Sequence, residues 1–155
     1  MKTFYLERLR KLADKLCTMD PRKFRLSDWA LKVNFRHNIA EVGCAIGVAA
    51  SMPEFRKRGF RLYQTTSEWD YDFDGDNFSR NLGPYYKGYT DWDAVCEFFG
   101  LSEAEAAHLF FYDSYRYGVN TKPLTVAKRI YNFVDKKYSE KEGVWTHTVE
   151  LVNYR

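Results

Sequence analysis

Between Val42 and Ala50 the chain runs Val-Gly-Cys-Ala-Ile-Gly-Val-Ala-Ala, nine consecutive residues that are small or apolar. A helix with no polar face has to be buried, so this run predicts a central helix over residues 39–51 around which the other elements are wrapped. Gly43 and Gly47 fall one turn apart on it, which lets another backbone or a bulky ring come close. Glycine costs helix stability, so two of them need a packing reason. The stretch is too short and too rich in small residues to span a bilayer.

The flanking segments carry ordinary helical signals. Tyr5, Leu9, Leu12, Leu16 and Met19 recur at helical spacing and predict an amphipathic helix over residues 4–19, closed by Asp20-Pro21. Pro53 opens a short turn of helix that Gly59 ends. Thr90-Asp91-Trp92-Asp93 starts a helix that stops at Gly100, and Ser102 with Glu105 forms a capping box for the next, which runs to about Asp113. Thr121-Lys122-Pro123 opens a last helix over residues 124–138. The alternating, β-branched segments 60–65 and 144–152 read as strands that pair with each other, and residues 67–88 read as a long loop or irregular hairpin. The expected fold is a mainly α single domain of about five helices with a small antiparallel β-sheet, an α+β arrangement.

With 155 residues, 45% hydrophobic and 29% charged, the chain has the balance of a globular domain with one core. Cys17, Cys44 and Cys96 are odd in number and widely spaced, and the N-terminus has no uninterrupted apolar stretch of a signal peptide. A reducing, cytoplasmic location is the expectation. Charge is segregated along the sequence. Residues 1–61 carry 14 Lys and Arg against 6 Asp and Glu, residues 62–113 carry 2 against 11, and the remainder 8 against 4.

Two surfaces stand out as functional candidates. The first is the acidic, tyrosine-rich segment with Asp70, Tyr71, Asp72, Asp74 and Asp76, followed by Tyr85, Tyr86 and Tyr89. Tyrosine is favoured at protein interfaces, and carboxylates dock on basic partners. Asp70 to Asp76 opens like a calcium-binding loop, but Asn81 stands where the bidentate Glu belongs and Asn77 where an apolar residue belongs. No metal and no cofactor is expected. The second candidate is the basic block, with Arg56, Lys57, Arg58 and Arg61 as its densest part, a footprint suited to nucleic acid. His37, His108 and His147 have no metal-ligand spacing, and Cys44 sits where a thiolate is disfavoured, so catalysis by these groups ranks third.

The order Phe24-x-Leu26-Ser27-x-Trp29, then Val42-Gly43-Cys44-Ala45-Ile46-Gly47-Val48-Ala49, then Pro53-x-Phe55 and Gly59, then Phe98-Phe99-Gly100-Leu101-Ser102, then Pro123-x-x-Val126-Ala127-x-Arg129-Ile130 resembles a family of small uncharacterised bacterial and phage-encoded proteins. Their central helix typically reads Cys-Gly-Thr-x-x-Cys-x-x-Gly. Here Ile39, Ala40 and Glu41 stand in place of Cys-Gly-Thr, so a role for a cysteine pair does not carry over. The resemblance implies a shared fold and a mobile-element context, with no assigned activity. The leading expectation is a non-enzymatic protein of phage origin that binds a host protein through the acidic and tyrosine-rich surface. One concrete form is an inhibitor of a host defence or nucleic-acid enzyme. Nucleic-acid binding through the basic block is the alternative, and a small enzyme the second alternative.

Overall fold

The structure, a computed structural model, describes residues 1–34, 36–64 and 82–142. Helix α1, Thr3–Thr18, is the first wall of the core, with Leu6, Leu9, Leu12, Ala13 and Leu16 buried along one stripe. It ends as expected before Pro21, where the Asp20 carboxylate accepts a hydrogen bond from the Arg22 backbone N–H at 2.9 Å. Strands β1, Lys32–Asn34, and β2, Ile39–Val42, form an antiparallel hairpin. Its turn places Asn38 at φ 52°, a left-handed conformation that Asn tolerates.

The central helix is shorter than its sequence predicts. Residues 39–42 are strand β2, and helix α2 covers only Ala45–Ala49, entirely buried. The reason is backbone bonding. Gly43 donates its N–H to the Lys23 carbonyl at 3.1 Å and accepts from Arg25 N–H at 3.0 Å, while Cys44 N–H reaches the Asp28 carbonyl at 2.7 Å. Extended chain at these positions therefore satisfies groups that a helix would also have had to satisfy. The packing reason for the glycines holds in this form too. A Cβ on Gly43 or Gly47 would overlap the Trp29 carbonyl, so the backbone of residue 29 crosses directly over both.

Helix α3, Pro53–Lys57, is followed by Gly59 at φ 93° and by β3, Arg61–Gln64. Strand β3 pairs antiparallel with β4, Leu82–Tyr86, which pairs with β5, Tyr89–Thr90. The segment expected as a long loop or irregular hairpin up to residue 88 therefore ends in strand β4 and the turn of the β4–β5 hairpin. The expected tail strand, residues 144–152, lies outside the described residues. Lys87 and Gly88 form the β4–β5 turn at φ 50° and 87°, the paired left-handed geometry of a tight hairpin.

Helix α4, Asp91–Phe99, ends at Gly100 with φ 66°. Helix α5, Glu103–Phe110, has the predicted capping box: Ser102 Oγ accepts from Glu105 N–H at 3.1 Å, and Glu105 Oε1 accepts from Ser102 N–H at 2.9 Å. Helix α6, Pro123–Glu142, runs against α1 with Val126, Ala127, Ile130 and Val134 buried. Six α-helices and two small antiparallel sheets are thus present among the described residues. The core is centred on rings: Phe60 stacks on Phe98 at 4.3 Å, and Phe55 meets Phe98 edge-on at 5.0 Å. None of the helices in the described residues is long and apolar enough to cross a membrane.

Candidate functional site

Alternation in β3 separates two faces. Leu62 points into the core, where it is buried, and Arg61 and Tyr63 point outward. The register sets Arg61 opposite Tyr85 and Tyr63 opposite Gly83, and directly opposed residues share a face of a sheet. The outer face therefore joins Arg61, Tyr63 and Tyr85 in one patch. The Arg61 guanidinium lies 5.4 Å from the Tyr85 ring centroid, and the Tyr63 and Tyr85 rings are 5.4 Å apart. Tyr63 is 43% exposed, large for an aromatic ring on a sheet.

The far end of this face is filled by other elements. An Asp91 carboxylate oxygen occupies the space where a Cβ on Gly83 would stand, beside the Trp29 indole. Asp91 takes a left-handed φ of 53°. Burial, reinforced by Asp93, holds its carboxyl above the usual value. Trp29 packs on Trp92 at 4.8 Å, and Trp92 on Phe111 at 6.2 Å. Half-buried rings thus border the exposed Tyr and Arg residues.

The two sequence-derived candidate sets are redistributed by the fold. Tyr85 and Arg61, one from each set, come together. Tyr86 turns inward, 5% exposed, against Phe98 at 5.1 Å; it is a core residue because strand alternation places it opposite to Tyr85. Tyr89 is exposed on the short edge strand. Arg56 is tied into the fold, its Nη1 donating to the His37 carbonyl at 2.7 Å and the Asn38 carbonyl at 3.4 Å. Lys57 and Arg58 are exposed at the end of α3. Asp70, Tyr71, Asp72, Asp74 and Asp76 lie outside the described residues, in the stretch of sequence that joins β3 to β4. Tyr63 was not singled out by sequence reasoning, although the alternation of residues 60–65 carried the signal that it shares a face with Arg61.

Cys44 and Arg8 are disposed for structure. Cys44 is buried, and burial pushes its thiol up to about 11, the opposite of what a nucleophile needs. Arg8 donates to the Phe98 carbonyl at 2.7 Å with its guanidinium 4.3 Å from the Phe98 ring, fastening α1 to α4. Among the described residues no group of three or more His, Cys, Asp or Glu is placed to hold a metal ion. The fold and this face define a single-core α+β protein with an aromatic and basic sheet surface. No protein-family model, curated protein or solved structure matches the chain.

Proposed function

We propose that this protein is a non-enzymatic binding module that engages a protein partner through the outer face of the β3–β4–β5 sheet. The observation that supports it is the Arg61–Tyr63–Tyr85 patch. Arg and Tyr are the residue types that dominate interface energetics, and a rigid sheet presents them at little conformational cost. On the edge strand it is Thr90, opposite Tyr85, that shares this face, whereas Tyr89 stands opposite Tyr86 on the other. Asp70, Tyr71, Asp72, Asp74 and Asp76, which by sequence belong to the connection between β3 and β4, would add an acidic contribution to the same partner. The resemblance to phage-encoded proteins points to a host protein as the partner, an enzyme of defence or nucleic-acid metabolism that the bound module inhibits. A cytoplasmic location accords with three free thiols.

A photo-reactive phenylalanine analogue placed at Tyr63 tests this reading in bacterial lysate. It is expected to form a defined protein adduct that the same analogue at Glu97, exposed on α4, does not form. Identical adducts from both positions, or none, would count against the sheet face.

A second reading is nucleic-acid binding by the same face, favoured by the Arg61 guanidinium over Tyr85 and by Lys57 and Arg58 close by in sequence. Such binding weakens steeply with salt. A gel shift at low ionic strength that disappears on charge reversal at Lys57, Arg58 and Arg61 would select it.

A further inference from the structure

Away from the sheet, α5 and α6 leave between them an open groove of about 680 Å³. Its α6 wall carries two cationic rows. Lys128, Asn132 and Lys136 follow one another at four-residue spacing, about 6 Å of helix rise per step. Arg129, Phe133 and Lys137 form the neighbouring row. The α5 wall adds Ala104, Glu105 and His108.

The charges along this groove are unequal in availability. Lys137 is paired with Glu105 at 3.1 Å and with Glu140 at 3.7 Å. Burial opposes ionisation of Glu105, but hydrogen bonds from the Ser102 backbone and Lys137 outweigh it and keep its carboxyl below the usual value. The one carboxylate on the lining is therefore already engaged. Arg129 Nη1 donates to the His108 and Ser114 carbonyls at 2.8 and 2.9 Å, so its position is fixed while no carboxylate of the described residues neutralises it. Lys128 and Lys136 are exposed and make no ion pair or hydrogen bond with any described residue. Burial and the nearby Arg129 lower the His108 pKa, leaving that ring neutral at pH 7. The groove thus carries its unpaired positive charge on the α6 side, and Ala104 and the half-buried Phe133 ring supply its apolar lining.

We infer that the α5–α6 groove docks an acidic amphipathic helix of a protein partner, apolar residues on the Ala104 and Phe133 lining and carboxylates on Lys128 and Lys136. Charge complementarity selects an anionic occupant. The apolar lining selects a helix, whose carboxylates eight residues apart stand about 12 Å from one another, the helix rise that separates Lys128 from Lys136, while its apolar stripe covers the floor. A nucleic-acid strand is a poorer match. The Lys137 ammonium already lies 5.5 Å from the Phe133 ring centroid, which leaves no open ring face on that side for a base. This surface is separate from the sheet face and does not depend on it.

Fluorescence anisotropy at low ionic strength tests the assignment with three labelled probes. These are a helical peptide with Glu at four-residue spacing beside a Leu stripe, an isomer of the same length and charge interrupted by proline, and an oligonucleotide of equal charge. The helical peptide is expected to bind saturably, about tenfold more weakly to the Lys128→Glu/Lys136→Glu variant, and unchanged to Tyr63→Ala. Both lysines are exposed, so a melting curve matching wild type verifies that the variant folds. Absence of saturable binding, equal binding of the proline isomer, or tighter oligonucleotide binding lost in the lysine variant each overturns the proposal.

Discussion

Arg61 and Tyr85 face each other across the β3–β4 pair, with the guanidinium 5.4 Å from the ring centroid. Each comes from a different part of the sequence, one from a basic block and one from a tyrosine-rich stretch, and the strand register makes them neighbours. An exposed pair of this kind contributes about 0.5–1 kcal/mol. Arg61→Ala and Tyr63→Ala are therefore expected to lower stability by no more than about 1 kcal/mol in urea denaturation. A loss of several kcal/mol would mean that the patch serves the fold and not a partner.

The glycines separate two kinds of constraint. Gly47 has the Trp29 carbonyl over it, and this obstacle is backbone, whereas Gly59 has open space around it but a φ of 93°. Gly47→Ala is expected to cost about 3 kcal/mol through forced displacement of the chain. Gly59→Ala should cost about 1 kcal/mol from backbone strain alone. Chemical denaturation of the two variants checks the order, and equal costs would contradict the close approach.

Helix α5 depends on its cap. Ser102→Ala removes the acceptor for the Glu105 N–H and is expected to destabilise the protein by about 1 kcal/mol. Ser102→Asp, which retains an acceptor at the cap, should recover most of that loss in the same thermal melt.

Cys44 gives the fold a pH signature. Its thiol is raised from 9.0 to about 11 by burial, so the folded state holds the proton more tightly than the unfolded state. That contribution is fully present below pH 9 and is lost as pH rises through 11, amounting to about 3 kcal/mol. Cys44→Ala should show a shallower decline in stability than wild type over this window. A thiol reagent at pH 8 is expected to label the exposed Cys17 well before Cys44.

Much of the fold was legible where one local signal decides the structure. The leucine stripe of α1, the Ser102–Glu105 box and the glycine stops at Gly59 and Gly100 needed nothing beyond their neighbours. The small-residue run misled because its backbone partners, Lys23, Arg25 and Asp28, lie in a preceding segment with no regular pattern of its own. Strand β4 was obscured for a related reason: Gly83 and Pro84 weaken any strand signal, and only the β3 pairing and the carboxylate of Asp91 over Gly83 account for them. The candidate face was visible in part. Alternation in residues 60–65 implied a shared face for Arg61 and Tyr63, but the arrival of Tyr85 beside them depends on a register that no short-range rule supplies. Tyr86 shows the converse, because one step along the same strand carried a ring from the surface to the core.

The central claim is tested most directly by comparing what wild type and an Arg61→Ala/Tyr63→Ala/Tyr85→Ala variant retain from bacterial lysate, after matching their melting temperatures. The account predicts a specific protein retained by wild type in near-stoichiometric amount and absent from the variant. Retention of the same proteins by both would contradict it.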